Sequence, residues 1–255
     1  MSDDTVRAIA ALTAVSCFYA FFYTRVVARW GRFVQPLVRR LGRERSHPVR
    51  EIDALGKLAA AAGAQALFAA GLLVALGIHP RRIVSMPPIT QLLLACALGI
   101  AEIAFSSFAS ALAIKAVLAV DPRGKAAWLG PSRGGWMGLF LASHRVAPPW
   151  LFTLCVVIYV SVEEVVFRGL IIETLRPAGA LVAIGASVTW FVAAQALHMP
   201  SARSALFPMI GGLVIGFVHS IIYWQVPNVV PLALAHAIFF TGALVAHVDR
   251  ATPPV

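Results

Sequence analysis

Two adjacent glutamates and an arginine interrupt a long apolar run of this sequence. Glu163, Glu164 and Arg168 lie within the run from Trp150 to Leu175. Three histidines lie within or at the end of the apolar runs that follow, namely His198, His219 and His236. A charged side chain in hydrocarbon costs about 2.5 to 3.5 kcal/mol on insertion scales. Acids and histidines in such runs are therefore candidates for a functional site.

The spacing of the first three residues predicts different roles for the two acids. Glu164 and Arg168 are four residues apart, so they share one helix face and suit an ion pair. Glu163 is rotated by about 100° from its neighbour and can face a separate cavity. We expect the paired Glu164 to stay ionised and the unpaired Glu163 to act as a general base for water. A histidine opposite Glu163 would share that water.

The other ionisable residues in apolar runs are interpreted from the residues that accompany them in the sequence. His198 and His236 are candidates because they accompany the acids, whereas His219 is interpreted as a structural histidine. Glu102 and Lys115, in an earlier apolar run, are interpreted as packing groups. Glu102 could pair with Lys115 or line a cavity, and the lysine is expected to extend its amine towards the membrane interface.

Composition places these residues in a membrane. The chain has 255 residues, of which 60% are hydrophobic and 13% are charged, and soluble domains are about 25% charged. This composition excludes a disulfide scaffold, a disordered chain and a multidomain soluble enzyme. The three cysteines lie inside apolar runs without a pairing pattern, so the sequence indicates neither a disulfide framework nor a cysteine zinc site.

The recurring apolar runs predict an all-α, polytopic membrane protein with seven transmembrane helices in a conical or cavity-containing bundle. The predicted helices lie at about 6–27, 58–78, 89–120, 150–175, 178–198, 205–224 and 229–248. Residues 1–255 form one predicted domain. Its N-terminal part, residues 1–149, holds three helices and a loop with an interfacial segment at 136–141. The core at residues 150–248 holds the candidate site, because tight turns at Pro177 and at 225–228 return its helices to one region.

The net charge of +10 comes largely from arginines in the loops between the predicted helices. Such clusters orient a membrane protein and contact anionic lipid, so nucleic-acid binding is not expected. The loop at residues 29–57 is predicted to be cytoplasmic and the N-terminus to lie outside. No cleavage site of small residues follows the first apolar run, which predicts a retained anchor.

The residues from Glu163 to Gly169, EEVVFRG, resemble the EExxxRG signature of the CPBP family, the CAAX-processing and bacteriocin-processing intramembrane glutamic endopeptidases. Residues 212–240 resemble the last two helices of that family, and the resemblance covers about 150–246. It implies that Glu163 is the base that activates water and that Glu164 and Arg168 support it. It further implies that His198 helps to activate the water and that His236 helps to stabilise the oxyanion. The pattern of glutamates and histidines without a cysteine site or HExxH predicts that neither metal nor cofactor is needed.

Two positions depart from the family pattern. The second motif has a phenylalanine four residues before its histidine, and Ala194 holds that position before His198, although Phe191 and Gln195 are close. The third motif has asparagine or aspartate four residues after its histidine, and this position is Phe240. Loss of such an oxyanion donor costs about 3 to 4 kcal/mol in other enzymes. Other residues could replace the donor, namely Gln195, Asn228 or Thr241.

The resemblance implies an endopeptidase acting on a protein substrate with a membrane-embedded or lipidated C-terminal segment. The arginine-rich and alanine-rich composition indicates the inner membrane of a bacterium. A protease for C-terminal sorting signals of surface proteins is an alternative within the same chemistry. A non-catalytic scaffold or immunity protein of this fold is a second alternative, because of Phe240. A zinc enzyme with two histidines and a glutamate is less favoured because HExxH is absent, and a transporter because no inverted repeat is found.

Overall fold

The computed structural model describes residues 3–21, 49–120 and 135–248, together with residues 25, 27, 29, 36 and 40. This described part of the chain consists of helices and turns without a strand, which confirms the predicted all-α class. The helices are α1 (Asp3–Phe21), α2 (Val49–Leu76), α3 (Ile89–Val120), α4 (Gly135–Val146), α5 (Pro149–Glu164), α6 (Ile171–Leu175), α7 (Ala180–Leu197), α8 (Ala202–Gln225) and α9 (Val229–Val248).

Five segments of the described chain are long and apolar enough to cross a membrane. They are Glu51–Leu76, Ile89–Ala119, Pro149–Ala178, Ala180–Leu197 and Ala202–Gln225. The first and last predicted spans correspond to shorter apolar helices, Thr5–Phe21 and Val229–Leu244. The protein is therefore a multi-pass helical membrane protein, and the total of seven spans stays a prediction. The predicted cytoplasmic loop at 29–57 is only partly described. Residues 30–48 lie outside the described residues, apart from residues 36 and 40.

A π-helical segment, Val165–Leu170, joins α5 to α6 in one continuous span. Its wider turn is shown by the backbone N–H of Ile171, which donates to the carbonyl of Val166 five residues earlier. Such segments occur often at functional sites. Every residue from Val166 to Leu170 is buried, Arg168 included, so the segment is surrounded by protein on all sides. Arg168 thus lies within the π-helical segment, and Glu163 and Glu164 lie directly before it.

The span ends at a tight turn that returns the chain as α7. A short 3₁₀ turn, Arg176–Ala178, leads to Gly179, whose φ of 93° is a conformation that glycine adopts without strain. The following helix α7 packs along α8, and α3 packs along α9. A Cβ atom on Gly99 of α3 would lie 2.5 Å from the carbonyl oxygen of Ala235 on α9. Glycine therefore allows these two backbones to approach each other beside His236.

The segment predicted to lie at the membrane interface, residues 136–141, is part of α4 and belongs to the protein core. Trp136, Met137 and Phe140 are buried, and the helix packs on α2. The ring of Phe140 lies 4.6 Å from that of Phe240 on α9, measured between centroids. The apolar face of this segment therefore has a protein partner, and its position at the membrane interface stays a prediction.

Candidate active site

Glu164 is fully buried and is contacted from three directions. Its Oε1 lies 3.3 Å from Nη1 of Arg168, which is the ion pair expected from their spacing. The same oxygen lies 2.8 Å from Nδ1 of His236 on α9. Its Oε2 lies 3.1 Å from Nδ1 of His219 on α8. This carboxylate therefore joins three helices of the core.

Arg168 is also fully buried, and its charge is compensated on several sides. Besides Glu164, its Nη2 donates to the carbonyl oxygen of Ile215 at 3.2 Å. Its guanidinium carbon lies 4.3 Å from the ring centre of Phe191, a cation–π geometry. Removing Glu164 would leave this cation in the protein interior without its carboxylate.

Glu163 has neighbours of a different kind. Its side chain is 4% exposed, and its Oε1 accepts from Nε2 of Gln195 at 3.4 Å. Its Oε2 lies 3.9 Å from Nε2 of His236, which is too far for a direct hydrogen bond. One imidazole thus faces both acids, with Nδ1 towards Glu164 and Nε2 towards Glu163. The two glutamates have the contrasting surroundings that their spacing predicts.

His198 lies at the end of α7 and is directed towards α1. Its Nε2 lies 2.9 Å from the carbonyl oxygen of Tyr19, so this nitrogen donates and has no lone pair for a water proton. The residue of α7 that reaches Glu163 is Gln195. This geometry gives no support to the predicted pairing of His198 with Glu163.

The position of Gln195 offers a second alignment with the second family motif. Gln195 follows Phe191 by four residues, the spacing that this motif has between its phenylalanine and its histidine. The structure therefore favours Gln195, three residues before His198, as the residue in the histidine position. Residue type alone favours His198, because Gln195 is not a histidine.

His219 and Glu102 belong to the cluster, although a structural role was predicted for His219 and a packing role for Glu102. Nε2 of His219 lies 3.1 Å from Oε1 of Glu102, and both side chains are buried. Glu102 thus faces His219 and not Lys115, the partner considered from the sequence. The signal was present in the sequence, because the burial cost that selected Glu163 applies equally to an acid in the middle of α3.

A cavity of about 570 Å³ lies beside the cluster, between α3, α4, α7, α8 and α9. Gln195 and His236 line one end of it, and α3 lines it from Ile103 to Leu118, about 22 Å along the helix. The wall is mostly apolar, and its polar residues on α3 are Ser106, Ser107, Ser110 and Lys115. Lys115 lines this cavity with its side chain exposed. The cavity has the size of a pocket for a small ligand or a short peptide segment.

Phe240 forms part of the cavity wall where the family pattern has an amide or acid. Its ring lies 5.7 Å from that of Trp136 and 4.6 Å from that of Phe140, between centroids. Among the residues considered as replacement donors, Asn228 donates to the carbonyl of Ser85 at the start of α9. Gln195 is the one for which the structure shows a contact with Glu163.

The described residues contain no group of three or more His, Cys, Asp or Glu side chains arranged to hold a metal ion. The expectation that the reaction proceeds without metal stays a prediction.

A comparison with protein families finds a match within the core of the protein. Residues 145–241 match the family model described as Rce1-like, type II CAAX prenyl endopeptidase, which confirms the resemblance to the CPBP family. The match contains the EEVVFRG motif, Gln195 and His236, whereas Glu102 lies outside it. No curated protein matches the chain, and no solved structure matches it. At the level of the family, the match supports a protease of the CAAX type in a multi-pass membrane protein.

Proposed function

We propose that this protein is a glutamic intramembrane endopeptidase that cleaves a peptide bond near a membrane-embedded or lipidated C-terminal segment of a protein substrate. The observation that supports this most strongly is the environment of Glu163. It is a buried acid that faces an amide and an imidazole at the end of a cavity, while its neighbour Glu164 is engaged by a buried cation.

In this proposal water binds between Oε2 of Glu163 and Nε2 of His236, whose separation of 3.9 Å suits a bridging molecule. Because Nδ1 of His236 faces the carboxylate of Glu164 at 2.8 Å, that nitrogen carries the proton and Nε2 keeps its lone pair. His236 then accepts a hydrogen bond from water. It therefore takes the water-activating role that the resemblance implied for His198.

Hydrolysis follows as a general-base reaction. Glu163 takes a proton from the water, and the water oxygen forms a bond to the carbonyl carbon of the substrate. The amide nitrogen leaves with the proton that Glu163 returns, so one carboxylic acid and one amine are formed. Nε2 of Gln195 is the proposed donor to the oxyanion, since Phe240 offers no polar hydrogen.

The lining of the cavity favours a substrate segment with apolar side chains. The cavity is lined mainly by aliphatic and aromatic side chains, and it extends along α3 away from the acids. A prenylated C-terminus, as in the name of the matched family, and an unmodified C-terminal sorting segment both fit this chemistry. We propose the bacterial inner membrane as the site of action, with the lipid bilayer as the second partner.

The test uses cells in which the chromosomal gene is deleted and a plasmid supplies one version of it. The C-termini of the membrane proteins in these cells are compared. Wild-type protein, Glu163→Gln and Glu173→Gln are expressed at equal levels. Glu173→Gln is the matched control, because this acid lies on the same span and pairs with Arg176 at its end. Shortened C-termini are expected with wild type and Glu173→Gln and not with Glu163→Gln. The same shortened C-termini in all three strains would refute Glu163 as the base.

A second candidate is a non-catalytic protein that binds the same kind of segment. It is favoured by Gln195 and Phe240, which hold the positions where the family motifs have histidine and an amide or acid. In that case the cellular function of the gene survives in Glu163→Gln. Membrane-permeant crosslinking would then recover an uncleaved partner protein from wild-type and variant cells alike.

A further inference from the structure

His219 lies between two carboxylates that belong to different helices. Nδ1 is 3.1 Å from Oε2 of Glu164, and Nε2 is 3.1 Å from Oε1 of Glu102. The side chains of His219 and Glu164 have no exposed surface, and that of Glu102 is 3% exposed. Through this imidazole, α3 in the N-terminal half of the chain is joined to the cluster on α5 and α9.

A neutral imidazole cannot serve both contacts. It has one N–H and one nitrogen with a lone pair, and the lone pair would lie 3.1 Å from a carboxylate oxygen. Neither ring nitrogen of His219 is aligned for a hydrogen bond, so both contacts are contacts between charges, and attraction to both carboxylates requires an imidazolium.

The charges of the cluster agree with this protonation state. The groups facing His219 are Glu164 from α5, Glu102 from α3 and the ring of His236 from α9, whose centroid is 6.2 Å away. Arg168 contributes one positive charge through its pair with Glu164. The two carboxylates that face His219 are then matched by one guanidinium and one imidazolium, whereas the third carboxylate of the cluster, Glu163, faces the far nitrogen of His236. Since an unpaired buried charge is strongly unfavourable, a positive charge on His219 suits its two acidic neighbours.

We propose that Glu102 and His219 form a buried positioning unit, in which a doubly protonated His219 holds Glu164 so that Glu164 in turn orients His236. The contact with His219 occupies Oε2 of Glu164 and leaves Oε1 for His236. The catalytic consequence rests on the proposed function, whereas the protonation state does not. Glu102 lies outside the matched residues 145–241, so the unit extends the site into the N-terminal half.

The first experiment observes the proton directly. Full-length protein labelled with ¹⁵N-histidine is placed in lipid nanodiscs at about two pH units above the ordinary histidine value of about 6.5. One histidine is expected to show two protonated ring nitrogens, and His219→Gln should remove that signal. Glu102→Gln should convert it to a neutral imidazole, while Glu173→Gln should leave it unchanged. A folded wild-type protein without a doubly protonated histidine would overturn the proposal.

Folding is checked on the same samples by thermal melting. If His219→Gln does not fold, Glu102→Gln still tests whether His219 is doubly protonated. Glutamine keeps the size of the glutamate side chain and removes only its charge. A folded Glu102→Gln that retains the imidazolium signal would show that Glu102 does not hold the proton.

The second experiment measures the positioning effect in the cleavage assay with purified protein. Glu102→Gln is expected to lower kcat on the order of ten-fold with little change in KM, as happens when partners that orient a catalytic group are removed. The pH profile of kcat should change in Glu102→Gln and not in Glu173→Gln, and Glu102→Asp should restore part of the rate. An unchanged kcat and pH profile in Glu102→Gln would overturn the positioning role. Absence of cleavage by wild type would instead refute the proposed function, and the histidine signal would still test the inference.

Discussion

At the scale of single residues, two neighbouring acids differ because their neighbours differ. Glu164 has Arg168 and two imidazoles around it, whereas Glu163 has the amide of Gln195 and the far nitrogen of His236. The pair of Glu164 with Arg168 was predictable from the sequence because four residues make one helical turn. The neighbours on other helices were not, because helix rotation and tilt decide which of several nearby polar residues enters the site.

The residues of the second motif illustrate this limit. Gln195 and His198 are three residues apart, and both lie near one face of α7. Residue type alone favoured His198. The structure favours Gln195, because the nitrogen of His198 donates to the backbone of Tyr19.

A pair of substitutions separates the roles of the two histidines. His236→Asn keeps a donor in the place of Nδ1 and removes Nε2, so kcat is expected to fall by about 10² to 10⁴. His198→Gln keeps a donor in the place of Nε2 towards Tyr19, so kcat is expected to stay near the wild-type value. Steady-state cleavage by the purified variants measures both. Equal losses in the two variants would return His198 to the catalytic group.

At the scale of helices, the π-helical segment and the close contacts at glycines position the site. The apolar run from Trp150 to Leu175 predicted one span, and one span is observed. The widened turn within it was not predictable, because a run that is apolar on every face carries no periodicity to reveal an inserted residue. The burial of α4 was missed for a related reason, since its partner α2 is distant in sequence.

The contact of α3 with α9 can be tested at Gly99. Gly99→Val places two further carbons beyond a Cβ that already meets the carbonyl of Ala235, so we expect a loss of about 1 to 3 kcal/mol of stability. Gly71→Val on α2 is the matched control, because a Cβ there meets no atom within 4 Å. Thermal melting in detergent should show a lower midpoint for Gly99→Val alone. A midpoint equal to that of the control would contradict the close approach of these helices.

At the scale of the whole molecule, composition predicted a multi-pass helical protein, and the structure agrees. Large apolar side chains on the outer surface are strongly exposed, for example Leu67 at 77%, Val74 at 82% and Leu181 at 89%. Surfaces of this kind are stable when lipid covers them. The length of each apolar run can be counted directly in the sequence. The multi-pass helical class was therefore easier to predict than the contacts between helices.

The orientation in the membrane follows from the arginines of the first loop. Seven arginines lie between residues 29 and 50, which predicts that this loop is cytoplasmic and that the N-terminus lies outside. A green fluorescent protein inserted near residue 45 should fluoresce, and an alkaline phosphatase at the same position should be inactive. An active phosphatase there would reverse the predicted orientation.

The central claim is that Glu163 is the base and Glu164 its ionised, supporting neighbour, and a comparison of Glu163→Gln with Glu164→Gln tests it most directly. Cleavage and thermal melting are measured on the same purified samples, with Glu173→Gln as the control. Glu163→Gln should abolish cleavage and leave the melting midpoint near wild type, because only proton abstraction is lost.

Glu164→Gln should lose cleavage and also about 3 to 5 kcal/mol of stability, because it leaves the buried Arg168 without its carboxylate. The double variant with Arg168→Gln should recover part of that stability without recovering cleavage. Cleavage that persists at the wild-type rate in a folded Glu163→Gln would contradict the claim.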